Sequence, residues 1–192
     1  MDRERIVCIG DSLTAGYGVQ IIHAWPHLLS QDLHIEVMNS GISGDTTSGM
    51  LARFQDMVIK HKPTHTIIMG GTNDLSLQLP NNILISNILA MTRYAKHHGI
   101  IPIIGIPTPF YNQEDSIDEY VSTEVLSLSK RIQLFQRTLK QFAIDDGLDF
   151  IDFTVGMTPK LFLEDGLHPN EEGHILMFEN AKSSLLKFLN HI

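Results

Sequence analysis

Gly10-Asp11-Ser12-Leu13-Thr14 follows directly on the apolar run Ile6-Val7-Cys8-Ile9. That run is short, β-branched and uncharged, which reads as a strand buried on both faces. It ends at a glycine, and Ser12 then stands in a polar loop with three glycines that extends to Gly18. By itself such a serine is a turn or helix-capping residue. It becomes a candidate nucleophile when a base takes its proton. At the far end of the chain, Asp165-Gly166-Leu167-His168-Pro169 sets a carboxylate and an imidazole three residues apart. The question the sequence poses is whether its two ends meet.

The strand-then-loop pattern recurs outward from that stretch. Apolar runs at 4–9, 34–38, 64–69, 100–106 and 149–153 read as strands. Pro102 is tolerated near the start of the fourth. A first helix begins near Ala24-Trp25-Pro26, where proline suits the first turn. A second follows Thr46 or Thr47 as cap, with Met50, Leu51, Phe54, Met57 and Val58 at spacings of three and four. A third covers 81–97 with Gly99 as its C-terminal cap. A fourth carries Val125, Leu128, Ile132, Phe135, Leu139 and Phe142 on one stripe. The last, over 171–190, carries Phe178, Ala181, Leu185, Phe188 and Leu189. Residues 107–123 are the longest irregular stretch.

Short apolar strands alternating with amphipathic helices define an α/β fold. The expected architecture is a five-stranded parallel sheet with helices on both faces, in one domain over 1–192. In such sheets, ligands bind beyond the carboxyl ends of the strands. The loops that hold Ser12, Gly44 and Asn73 follow strands one, two and three, and the Asp165–His168 turn follows strand five. All four should gather at one edge of the sheet.

Composition narrows the function classes. The chain is 43% hydrophobic and 19% charged, as globular proteins are, and its length suffices for one core. A net charge of −8 without a basic cluster argues against nucleic acid and anionic membranes as partners. No apolar stretch approaches a membrane span. Met1-Asp2-Arg3-Glu4-Arg5 runs straight into the first strand without the apolar segment of a signal peptide, so a cytoplasmic location is expected. The single cysteine, Cys8, excludes an intrachain disulfide and reads as a small buried hydrophobe.

The chemistry then follows from residue type. A neutral His168 can accept the Ser12 proton and return it. Asp165 would orient the ring and stabilise the imidazolium. Attack on an ester creates an oxyanion, which needs preorganised donors. The backbone N–H of Gly44, the side-chain N–H of Asn73 and the backbone N–H of Ser12 are candidates.

Four separated blocks carry a family resemblance: Gly10-Asp11-Ser12-Leu13, Gly41-Ile42-Ser43-Gly44-Asp45-Thr46, Gly70-Gly71-Thr72-Asn73-Asp74 and Asp165-Gly166-Leu167-His168-Pro169. In that order they resemble the GDSL, or SGNH, hydrolases. The resemblance is closest to the branch of small intracellular or periplasmic bacterial esterases with thioesterase and lysophospholipase members. It sets the family's serine on Ser12, glycine on Gly44, asparagine on Asn73, histidine on His168 and acid on Asp165. It implies a flavodoxin-like three-layer α/β/α sandwich. It also implies hydrolysis of a small-molecule ester or thioester through an acyl-enzyme, without metal or cofactor.

Other residues take plainer readings. Asp11, Asp45 and Asp74 read as loop braces that accept backbone N–H groups. Phe110 and Tyr111 form either an apolar wall for an acyl group or packing for their own loop. None of the other histidines has a recognised metal-ligand spacing. Two rivals use the same residues differently. One is a carbohydrate O-deacetylase, the other a non-catalytic flavodoxin-like module for a small anionic ligand.

Overall fold

A computed structural model gives the architecture and describes residues 4–111 and 126–188. Among these residues, the strands β1 (Arg5–Gly10), β2 (Glu36–Gly41), β3 (His65–Met69), β4 (Ile101–Ile106) and β5 (Asp149–Asp152) form one sheet in the order β2-β1-β3-β4-β5. Every neighbouring pair is parallel. Gly10 stands opposite Gly41 on one side and Met69 on the other, so β1, β2 and β3 end in register. The chain first steps from β1 to β2 and then crosses to β3 on the other side of β1. That reversal opens a crevice at the carboxyl end of β1.

Helices cover both faces. Val7, Ile9, Ile68 and Ile104 face a core shared with α3 (Thr47–Ala52), α4 (Phe54–Met57), α6 (Asn81–His97) and α7 (Leu128–Asp145). Ile6, Cys8, Ile67, Ile103 and Ile151 face a second core with α2 (Trp25–Leu33) and α8 (Glu171–Phe188). Alternate residues of β1 therefore feed opposite cores, and both cores exclude water. This is why the strand reads as an unbroken apolar run. The architecture is the expected three-layer α/β/α sandwich. No helix of the described residues is long and apolar enough to cross a membrane.

The structure shifts several expected boundaries. β2 runs from Glu36 to Gly41, starting two residues and ending three residues later than the expected 34–38, and His34 before it caps α2 in a left-handed conformation. β2 is an edge strand with half-exposed residues, so its burial does not mark its limits in the sequence. The helix expected from Thr46 or Thr47 to Val58 is two short helices broken at Arg53. Thr46 caps the first by accepting the Gly49 N–H. The loop expected from Gly10 to Gly18 contains a single helical turn, α1 (Ser12–Ala15). Most of the irregular 107–123 stretch, Val125 and Leu189 lie outside the described residues.

Phe135 of α7 is fully buried, and its ring occupies the space that a Cβ at Gly71 would need. Truncating it removes a large packed volume beneath the loop after β3. Phe135→Ala is expected to lower stability by about 3–5 kcal/mol, read in urea unfolding as a lower midpoint with little change in slope.

Candidate active site

Ser12 opens α1 immediately beyond β1 and is nearly buried. Asp11 caps that turn, its Oδ1 accepting the Leu13 N–H at 2.9 Å. Trp25 of α2, fully buried, donates its indole N–H to the Leu13 carbonyl at 3.1 Å. The serine turn is thus held from both its start and its far side.

His168 reaches it from the segment between β5 and α8. Its Nε2 lies 2.9 Å from Ser12 Oγ, across 156 residues of chain. Its Nδ1 lies 2.7 Å from Asp165 Oδ2. The other carboxylate oxygen accepts the Leu167 and His168 N–H groups, each at 2.9 Å. Desolvation pushes the Asp165 pKa upward, but the hydrogen bonds from the His168 and Leu167 N–H groups and the imidazole outweigh it, so the carboxyl titrates below its ordinary range. An ionised carboxylate only accepts. It therefore draws the ring proton to Nδ1 and leaves Nε2 as acceptor for the serine hydroxyl.

The turn carrying this pair is pinned by Tyr111. The Tyr111 N–H donates to the Gly166 carbonyl at 2.9 Å, and its hydroxyl donates to the Met157 carbonyl at 2.8 Å. A Cβ on Gly166, whose φ is +67°, would collide with the Tyr111 carbonyl oxygen. The Tyr111 ring packs edge-on against Phe162. Phe110 packs against the core beneath α6 and α7. Of the two expected roles for these aromatics, packing is the one the described contacts exhibit. Tyr17, which sequence reasoning passed over, lies with its ring centroid 4.4 Å from that of His168. No sequence signal marks it, since it sits in a loop without periodicity.

The loops after β2 and β3 meet the serine turn through a chain of hydrogen bonds. The Ile42 N–H donates to the Gly10 carbonyl at 3.0 Å, and the Asp45 N–H to the Ile42 carbonyl at 3.1 Å. Gly44 lies inside that turn with φ +81°, and nothing stands within 4 Å of where its Cβ would be. The glycine is required by conformation and leaves its surface open. Asn73, in α5 (Thr72–Ser76), donates one side-chain N–H to the Asp45 carbonyl at 2.9 Å. An amide nitrogen has two protons, so the second remains for another acceptor. Asp74 accepts the Thr47 N–H and hydroxyl, and Asp45 accepts the Thr46 N–H.

Asp11 is fully buried, and its second carboxyl oxygen has no hydrogen-bond partner among the described residues. Desolvation pushes its pKa up to about 7, opposed by the Leu13 N–H and reinforced by the nearby Asp74 and Asp45 carboxylates. His174 of α8 is buried as well, and desolvation lowers its pKa to about 4, so it stays neutral beside Trp25. Among the described residues, no group of three or more His, Cys, Asp or Glu side chains could hold a metal ion. A groove of about 450 Å³ beside Lys140, Phe150 and Asn180 lies at β5, separated from β1 by β3 and β4.

A hydroxyl, an imidazole and a carboxylate joined in series at the carboxyl edge of a parallel sheet form the arrangement of serine hydrolases. Comparison with known proteins makes the class specific. Residues 8–176 match the model of the GDSL-like lipase/acylhydrolase family. An arylesterase of Vibrio mimicus is 30% identical, over 97% of this chain and 90% of its own length. A thioesterase/protease/lysophospholipase of Escherichia coli is 26% identical, over 98% and 86%. The solved structure of a G-D-S-L family protein from Desulfitobacterium hafniense superposes with a TM-score of 0.80 at 27% identity, covering 94% of this chain and 98% of that one. The chain belongs to the GDSL-like lipase/acylhydrolase family and is an ester-hydrolysing enzyme.

The raised Asp11 pKa has a consequence for stability. In the unfolded chain this carboxyl titrates near 4, and in the fold near 7. Between those values the native state holds a proton that the unfolded state has lost, so stability declines as pH rises from about 4 to about 7. Asp11→Asn keeps the acceptor for the Leu13 N–H and removes the titration. Its stability relative to the parent is expected to improve between pH 4.5 and pH 8 by on the order of a few kcal/mol, measured by urea unfolding at both values.

Proposed function

We propose that Ser12 attacks the carbonyl of a carboxylic ester or thioester, with His168 as general base and Asp165 as the group that orients it. The observation that carries this reading is the unbroken series of contacts from Asp165 Oδ2 through the imidazole to Ser12 Oγ. His168 Nε2 takes the hydroxyl proton as the Ser12 Oγ–carbonyl bond forms. The resulting oxyanion is met by the Gly44 N–H, the free N–H of the Asn73 amide and the Ser12 N–H. Backbone donors in a first helical turn lack intrahelical partners, which suits the last of these. Collapse breaks the bond to the leaving oxygen or sulfur, which takes the proton from His168. Water then repeats the sequence on the acyl-enzyme: His168 accepts its proton, the acid departs and Ser12 is restored.

The substrate reading rests on exposed apolar side chains in the loops that carry the proposed groups. Tyr17 is 52% exposed, Ile42 43% and Leu77 66%, and each belongs to a loop or turn that also carries one of the proposed groups. Apolar surface on three such loops suits an acyl or aryl group better than a sugar. The arylesterase and thioesterase/lysophospholipase names of the relatives agree with that preference. Cleavage of p-nitrophenyl butyrate well ahead of an acetylated xylo-oligosaccharide is therefore expected, and the opposite ranking would favour O-deacetylation.

Ser12→Ala is expected to abolish p-nitrophenyl butyrate hydrolysis in a folded protein, and equal rates in variant and parent would refute the nucleophile. Asn73→Ala is expected to lower kcat by about 100- to 1000-fold with a much smaller change in KM, the loss typical of one oxyanion donor.

A further inference from the structure

Arg53 lies where the α3–α4 break falls, between the buried Met50 of α3 and Phe54 of α4. Its side chain is only 15% exposed. Among the described residues, its side chain bonds to the ends of strands and to the loop after β2. Nε binds Asp45 Oδ2 at 2.7 Å, Nη1 binds the Ser40 carbonyl at 2.7 Å and Nη2 binds the Gly10 carbonyl at 2.8 Å. Gly10 precedes the Asp11-Ser12 pair, Ser40 is the penultimate residue of β2, and Asp45 follows Gly44. The Asp45 carbonyl in turn holds the Asn73 amide. One planar guanidinium thus touches the supports of each of the three proposed oxyanion donors.

The chemistry of this contact set suits positioning. A guanidinium offers five donors in a fixed plane, so three acceptors that satisfy it at once are fixed relative to one another. With the side chain largely withdrawn from water, losing it would take one hydrogen bond from each of two carbonyls and from a carboxylate. The environment is also closely fitted, since a Cβ on Gly49 would collide with Asp45 Oδ1. A packing role alone calls for neither the charge nor the fork.

We propose that Arg53 is the positioning residue of the oxyanion pocket: it locks the ends of β1 and β2 to Asp45, and through Asp45 sets the Gly44 N–H and the Asn73 amide. The inference rests on the assignment of Ser12, Gly44 and Asn73 above. It assigns Arg53 no contact with substrate. Oxyanion donors act on the transition state, so a donor set that drifts loses turnover before it loses ground-state binding.

The test compares the parent, Arg53→Ala, Arg53→Lys and Ser12→Ala on p-nitrophenyl butyrate, with circular dichroism and thermal melts as folding controls. Arg53→Ala is expected to lower kcat by about 10- to 100-fold, less than outright loss of a donor, with KM within about twofold of the parent. Guanidinium chloride at millimolar, non-denaturing concentration is expected to restore part of that turnover and none of Ser12→Ala's. Arg53→Lys should fall between, because an ammonium lacks the fork that spans three acceptors. A folded Arg53→Ala with parental kcat, or with its loss confined to KM, overturns the inference. So does a kcat loss that guanidinium leaves untouched. If Arg53→Ala does not fold, Arg53→Lys carries the test, and parental kcat in that variant overturns the inference as well. An active Ser12→Ala is a separate result: it overturns the nucleophile assignment, and this inference with it.

Discussion

The common register of β1, β2 and β3 is the constraint on which the rest depends. Because Gly10, Gly41 and Met69 stand abreast, three loops leave the sheet side by side. Backbone pairing in a parallel sheet fixes that alignment before any side chain of the site is considered. The topological reversal at β1 then holds the crevice open over the serine. The fourth component, the Asp165–His168 turn, comes from beyond β5 and is brought in by the packing of α8 on the α2 face. The 2.9 Å contact between Ser12 and His168 is therefore a product of the whole sandwich.

Electrostatics around the serine divides between two kinds of carboxylate. Asp165 is partly exposed and accepts two backbone N–H groups as well as the imidazole, so it stays ionised and keeps the ring proton on Nδ1. Asp11 is one residue from the serine but sealed from water, and desolvation outweighs the backbone N–H groups that favour its charge, so its pKa climbs. Environment rather than residue type separates them. An aspartate beside the proposed nucleophile would be the obvious candidate for the acid by sequence distance alone. Its burial and its orientation toward the Leu13 N–H make it a cap for the serine turn instead.

How much of this was legible in the chain follows the same physics. β1, β3 and β4 were readable because both faces are buried, which leaves an unbroken apolar run. α6 is readable from its stripe and its ends, and α7 from its stripe. β2 was misplaced because an edge strand carries no such signature, and the left-handed His34 extended the turn before it. The four blocks could be placed at one edge from strand order alone, but the hydrogen bonds that join them depend on tertiary placement. Sequence reasoning passes over Arg53 although a cue exists: an arginine between the apolar Met50 and Phe54 demands partners. Tyr17 offered no cue, since its contact with His168 joins two loops.

The central claim is that Ser12 is the covalent nucleophile, and stoichiometric phosphorylation tests it most directly. The enzyme is incubated with diethyl p-nitrophenyl phosphate, and p-nitrophenol release, intact mass, peptide mapping and residual activity are followed together. The account predicts one p-nitrophenol per chain, a mass gain of one diethylphosphoryl group mapped to Ser12, and loss of activity in proportion to labelling. Full esterase activity in protein labelled at Ser12, or inactivation with the group on any other residue, would contradict it.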